Sequence, residues 1–126
     1  MDARTLTRLM AATRVGIGLA LFAAPRTAAR RWLGQDLPPA AGLLARGLGA
    51  RDLALGMGQL VALDRDGDLD PWMDAGIAAD AADAVAAMLG RRHVGTGPAV
   101  GTVVVAGGAA VAGWLLKDRL TAERGA

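Results

Sequence analysis

The chain has 126 residues, of which 53% are hydrophobic, only 21% are charged and none is cysteine. This length suits one domain, and an apolar composition built from Ala, Leu, Val and Gly excludes disorder, collagen and a disulfide scaffold. Without cysteine, neither thiolate metal sites nor thiol nucleophiles can form. The formal net charge is +2, but the basic residues are scattered and not interleaved with aromatic residues, so we expect no nucleic-acid partner.

Four apolar stretches are long enough to cross a bilayer, because a spanning helix needs about 20 residues. They lie at about residues 6–24, 40–63, 71–90 and 97–116, and the segments between them are short. The sequence therefore predicts one all-α domain over residues 1–126, a four-helix transmembrane bundle with short loops and antiparallel neighbours. Its expected location is the inner (plasma) membrane, as a multi-pass protein in contact with the lipid bilayer.

The first apolar stretch also has features of a signal peptide, since arginines precede a short apolar run from Val15 to Ala24. That run is short, however, and the pair Arg30-Arg31 would follow the cleavage site, so we favour a spanning helix. The basic residues divide almost evenly between the two predicted sides and do not decide the orientation. The dense pairs Arg30-Arg31 and Arg91-Arg92 favour a cytoplasmic position for their two loops.

Small residues recur at helical spacing on one face of each predicted span. These faces comprise Ala11, Arg14, Gly18 and Leu21; Gly42, Ala45, Gly49, Asp52, Gly56 and Gln59; Gly76, Asp80, Asp83, Ala87 and Gly90; and Gly97, Gly101, Val104 and Gly108. Small residues allow helices to approach closely in lipid, so we expect the four faces to point at one another. The alternative is that Ala and Gly are merely abundant in this chain.

Six charged residues lie away from the ends of the predicted spans, and their formal charges sum to zero. They are Arg14, Arg46, Arg51, Asp52, Asp80 and Asp83. A helical rise of 1.5 Å per residue places Arg14 level with Asp80 and Arg51 level with Asp83, which predicts two ion pairs in one layer. Asp52 is within reach of that layer, whereas Arg46 lies near the opposite membrane face.

This charged layer supports two interpretations. The pairs either fix the order and register of the helices, or they form a proton relay or a polar binding cavity. The candidate binding or relay residues are Arg14, Arg51, Asp52, Asp80 and Asp83, with Arg46 and Gln59 as secondary candidates. We expect no catalytic residue, no metal ligand and no cofactor.

The acidic segment from Asp64 to Asp70 matches only the first positions of a calcium loop. It departs from that loop at Leu69, where a turn glycine belongs, and at Ala75, where a bidentate glutamate belongs. The single histidine, His93, lies in a basic loop without a ligand partner. We therefore interpret the acidic segment as a solvated turn.

Several motifs together resemble a known family. They are Arg14 followed by Gly16 and Gly18, the loop from Pro25 to Arg31-Trp32-Leu33-Gly34, the run from Arg46 to Gly56, the pair Pro71-Trp72, and Asp80-x-x-Asp83. They are similar to a family of small four-helix bacterial membrane proteins classified as a domain of unknown function and loosely DoxX-like. The resemblance implies a four-helix inner-membrane protein and no established activity.

Three functions are compatible with the sequence. The first is an accessory or structural membrane bundle without catalysis of its own, held by the buried Arg/Asp layer. The second is a small ion- or proton-coupled carrier, which needs a water-accessible cavity that reaches the carboxylates. The third is a membrane enzyme for a lipid-like substrate, which needs an apolar pocket ending at Asp80 or Asp83. A homodimer or a larger membrane complex fits each of them.

Overall fold

A computed structural model describes residues 1–125 and shows an all-α protein, as the sequence predicts. Within these residues the helices are α1 (Ala3–Ala23), α2 (Pro25–Leu33), α3 (Pro39–Asp64), α4 (Asp70–Val94) and α5 (Thr96–Gly125). The four long helices coincide with the four predicted apolar stretches. The expectation of four helices is wrong by one, because the short helix α2 occupies the predicted first loop. Ala126, the last residue of the predicted domain, lies outside the described residues.

Local sequence signals explain where the helices begin and end. The carboxylate of Asp2 accepts a hydrogen bond of 2.7 Å from the backbone N–H of Thr5, which caps α1 and lowers the pKa of that carboxyl. Pro25 stands in the first turn of α2, where its missing N–H costs nothing. Gly34 ends α2 with a φ of 69°, and Gly95 ends α4 with a φ of 91°, conformations that favour glycine.

The long helices form two tightly packed pairs, α1 with α3 and α4 with α5. In the first pair the backbones touch: a Cβ atom added to Gly49 would lie 2.6 Å from the carbonyl oxygen of Gly18 and 2.6 Å from the backbone nitrogen of Phe22. A Cβ atom on Gly56 would lie 2.8 Å from the carbonyl oxygen of Ala11. Glycine is therefore required along this contact, as expected for close helix packing.

The predicted small-residue faces of the first three spans point inward, but the face predicted for α5 does not. Gly97 and Gly108 are exposed, and a Cβ atom on either would meet nothing within 4 Å. Buried residues of α5 instead recur every seven positions, at Ala99, Ala106, Gly113 and Leu120, with Leu116 beside them. The prediction failed because glycine and alanine occur all around α5, so their spacing does not single out one face.

An apolar core closes one end of the molecule, where the α3–α4 loop meets the beginning of α1 and the last turns of α5. Its buried members are Ala3, Ala62, Leu63, Leu69, Met73, Leu116 and Leu120. Met73 is only 2% exposed. It precedes Asp80 by seven residues, or about 10 Å along α4, so this core lies between that end of the molecule and the charged residues in the middle.

Two of the helices, α1 and α5, are long and apolar enough to cross a membrane. Helices α3 and α4 have similar lengths, 26 and 25 residues. They are less apolar than α1 and α5, because charged residues interrupt them. These are Arg46, Arg51 and Asp52 in α3, and Asp74, Asp80 and Asp83 in α4. By length and composition, therefore, two of the four predicted spans meet the requirement for a membrane helix.

The α1–α3 contact predicts a position-dependent response to alanine. Gly49→Ala places a methyl group against the backbone of α1, and we expect it to destabilise the fold by about 1–3 kcal/mol through overpacking. Gly47→Ala is the matched control on the same helix, because its Cβ atom meets nothing within 4 Å; it should stabilise by up to about 1 kcal/mol. Thermal unfolding followed by circular dichroism measures both, and equal responses would contradict the close contact.

Candidate functional site

Five of the predicted candidate residues form one continuous network of ion pairs. Arg14 contacts Asp80 through Nη2 and lies 3.6 Å from Asp52 through Nη1. Arg51 donates to Oδ1 of Asp52 from Nε at 3.2 Å and from Nη2 at 3.0 Å. Arg51 also forms two parallel hydrogen bonds with Asp83, of 2.9 and 2.7 Å. The network, defined by these five residues, contains both ion pairs that the helical rise predicts.

Three helices position the network, and glycines make room for it. Arg14 belongs to α1, Arg51 and Asp52 to α3, and Asp80 and Asp83 to α4. A glycine lies one turn from each of the most buried members, namely Gly18 after Arg14, Gly49 before and Gly56 after Asp52, and Gly76 before Asp80. A Cβ atom on Gly76 would lie 3.5 Å from Nη2 of Arg14, so this glycine leaves space for the guanidinium group.

The network has a buried half and a partly exposed half. The side chains of Arg14, Asp52 and Asp80 are 7%, 11% and 9% exposed. Those of Arg51 and Asp83 are 33% and 28% exposed. Because buried charges are stable only when paired, the buried half depends on its internal contacts, whereas the Arg51–Asp83 pair also reaches the surface between α3 and α4.

Arg46 does not join the network, as its predicted depth implies. Its guanidinium group is exposed and donates to the carbonyl oxygen of Phe22 at the end of α1. It lines an open cavity of about 410 Å³ where α1, α2 and α3 meet, together with Arg26 and Thr27. The six charges that cancel in the sequence therefore divide into one separate arginine and a network of two arginines and three aspartates.

Gln59, a secondary candidate, lies beside the network at the α3–α4 contact. It is 2% exposed and donates from Nε2 to the carbonyl oxygen of Trp72 at 3.1 Å. Its Oε1 atom and the Nε atom of Arg14 are buried and have no hydrogen-bond partner within residues 1–125. Sequence reasoning did not assign a role to Gly76, although the spacing that placed it on the face of Asp80 was a usable signal.

The acidic turn that resembles part of a calcium loop is used for ion pairs at one end of the molecule. These pairs are Arg4–Asp66, Arg8–Asp64 and Arg124–Asp70, with Lys117–Asp74 just inside α4. Asp68 accepts a hydrogen bond from the backbone of Asp70. Across the described residues, no group of three or more His, Asp or Glu side chains is arranged to hold a metal ion.

A second cavity, apolar and about 490 Å³ in volume, lies between α1 and α5. Its lining includes Leu6, Met10, Ala112 and Leu115, with Arg119 at one end. Neither this cavity nor the one beside Arg46 is lined by a carboxylate of the network. The buried carboxylates are therefore held at helix contacts and do not line either cavity.

No family model, curated protein or solved structure matches this chain. The geometry of the network and the surface around it are therefore the observations that bear on its function.

The network predicts an asymmetric double-variant cycle. Arg14→Gln leaves three buried or half-buried carboxylates with one arginine, and we expect a loss of stability of about 3–5 kcal/mol, typical of breaking a buried pair. Combining it with Asp80→Asn removes one of those carboxylates and should restore part of the loss. Unfolding in detergent micelles measures both variants.

Arg8→Gln is the control for this cycle, because it makes the same change on the same helix in an exposed pair. Its cost should be no more than about 1 kcal/mol. Additive losses in the Arg14→Gln, Asp80→Asn double variant would contradict a direct pairing of the two residues.

Proposed function

We propose that this protein is an integral protein of the inner membrane in which α1, α3, α4 and α5 all span the bilayer as a four-helix bundle. We further propose that it acts as an accessory or structural subunit without catalysis of its own. Its Arg/Asp network serves to join the helices in a defined order.

The observation that carries this proposal is the inverted distribution of side chains. All four long helices expose large apolar side chains, among them Leu9, Ile17 and Leu19 of α1; Leu43, Leu44 and Leu48 of α3; Val85, Met88 and Leu89 of α4; and Val104, Val111 and Leu115 of α5. In the middle turns of α1, α3 and α4, by contrast, the charged side chains of Arg14, Asp52 and Asp80 are buried. A surface of this kind suits lipid as the surrounding solvent and would be costly in water.

Pairing makes the insertion of α3 and α4 feasible. A single Asp or Arg at the centre of a spanning helix costs about 2.5–3.5 kcal/mol on insertion scales. Each charged group of the network has a partner of opposite charge on another helix. Asp52 shares each of its two partners, Arg14 and Arg51, with another aspartate. The charged helices are therefore expected to insert as parts of the bundle and not singly, which is the basis for assigning the network a structural role.

The two ends of the molecule carry the polar groups that membrane surfaces favour. Trp32 and Trp72 are exposed near helix ends, and Trp114 is exposed shortly before Lys117, the first charged residue of α5; indole rings prefer the headgroup region. The arginines of α2 and the pair Arg91-Arg92 lie at one end, and the paired aspartates of the α3–α4 loop lie at the other. We place the end with the dense pairs Arg30-Arg31 and Arg91-Arg92 in the cytoplasm; the preference rests on these pairs, because the total numbers of basic residues at the two ends are nearly equal.

The alternative functions have less support from the geometry. A carrier needs a cavity that reaches Asp52, Asp80 or Asp83, and neither described cavity does so. An enzyme with a lipid-like substrate needs an apolar pocket ending at Asp80 or Asp83, whereas the apolar cavity ends at Arg119. We retain the resemblance to the DoxX-like group, and a homodimer or a larger complex as its assembly, as parts of the proposal that rest on the sequence.

Single-cysteine labelling tests whether the charged helix α3 spans the bilayer, because the natural chain contains no cysteine. Gln35→Cys lies between α2 and α3, and Asp68→Cys lies between α3 and α4. If α3 spans the membrane, a membrane-impermeant maleimide should label these two positions from opposite sides of sealed vesicles. Ala54→Cys, exposed in the middle of α3, should react only after solubilisation.

Labelling of Gln35→Cys and Asp68→Cys from the same side would contradict the proposal. That result would show that α3 does not cross the bilayer.

A further inference from the structure

We propose that the Arg/Asp network is a proton-binding site. At neutral pH it holds one proton, shared among its carboxylates, next to a water molecule that links Arg14 to Gln59. The inference rests on the proposed membrane placement, because an apolar surrounding is what makes an unbalanced charge in the network costly.

The count of charges in the network is the first observation. Arg51 forms two parallel hydrogen bonds with Asp83 and also donates to Asp52, while Arg14 contacts Asp52 and Asp80. Two guanidinium groups thus face three carboxylates. With every group ionised, the network therefore carries one excess negative charge.

No other cation in the described part of the chain compensates for this charge. The remaining basic residues of the packed helices are engaged elsewhere or lie near the helix ends. Arg4 and Arg8 of α1 pair with the acidic turn, and Arg46 of α3 donates to the Phe22 carbonyl. Lys117, the first charged residue of α5, pairs with Asp74 of α4. A buried charge that is not balanced by an opposite charge is normally neutralised by a change of protonation. Because the three carboxylates share two arginines, they take up that proton as a coupled group.

Two polar atoms without hydrogen-bond partners, next to the carboxylates of the network, are the second, independent observation. The Nε–H group of Arg14 is a donor without an acceptor, and Oε1 of Gln59 is an acceptor without a donor. The two side chains are neighbours, because a Cβ atom on Gly76 would lie 3.5 Å from Nη2 of Arg14 and 2.9 Å from Nε2 of Gln59. One water molecule can accept from Nε–H and donate to Oε1, which satisfies both atoms.

Infrared spectroscopy of the purified full-length protein tests the proposal. In a detergent without carbonyl groups, the wild type at pH 7 should show the carbonyl stretch of one protonated carboxylic acid per chain. The band should shift in deuterium oxide and on carboxyl-¹³C labelling of aspartate, and it should disappear at high pH. Asp80→Asn leaves two arginines and two carboxylates, so this variant should keep its helical circular dichroism and lose the band.

Asp74→Asn is the matched control, because it makes the same change on the same helix in an exposed pair outside the network. It should retain the band. If Asp80→Asn fails to fold, the wild type still decides the matter. A folded state that keeps one proton lost by the unfolded chain becomes less stable as the pH rises, and its unfolding constant should increase up to tenfold per pH unit.

A folded wild type that lacks the band at pH 7 would overturn the proposal. A band that appears only when sodium and potassium ions are removed would also overturn it, because a metal cation would then balance the charge in place of the proton. Cysteine labelling separates this failure from that of the proposed function. If labelling shows that α3 spans the membrane and the band is absent, only the proton site is wrong. If labelling from one side accompanies an absent band, both proposals fail.

Discussion

The contact of Arg14 with two aspartates is the interaction on which the arrangement of the helices depends. Arg14 belongs to the α1–α3 pair, whereas Asp80 belongs to the α4–α5 pair. Arg51–Asp83 and Gln59–Trp72 also join the two pairs, but close approaches between the pairs are few compared with those within each pair. In lipid there is no hydrophobic drive to bring helices together, so an ion pair with large desolvation costs on both sides determines which helices meet and at what height.

Glycine and charge act together in this arrangement. Gly18 and Gly49 bring the backbones of α1 and α3 into contact, and the charged residues Arg14 and Asp52 lie about one turn away on the same faces. Close approach of the backbones therefore also places the guanidinium group within 3.6 Å of the carboxylate. On α4, Gly76 does the opposite: its missing side chain leaves room for the long side chains of the other helices.

Much of the fold was predictable because lipid-like apolar stretches and helical spacing leave a strong signal. The all-α class, the four long helices and the level pairs Arg14–Asp80 and Arg51–Asp83 follow from that signal alone. Helix α2 was not predicted because it has no apolar stretch, although Pro25 at its beginning and Gly34 after its end are ordinary helix signals. The buried face of α5 was not predictable from small residues that occur on every side of the helix.

The excess charge of the network depends on the separate position of Arg46, which its depth along α3 already predicts; the contact that holds it there was not predictable from spacing. The chain turns into α2 immediately after α1, which presents the Phe22 carbonyl to Arg46 and holds this arginine away from the middle of the bundle. Neutrality in the sequence thus becomes imbalance in the structure. If a proton restores the balance, the contact that joins the two helix pairs is itself titratable, and the stability of the bundle must respond to pH. A structural role and a proton-binding role for the network are then consequences of one requirement, that charge inside an apolar surrounding be compensated.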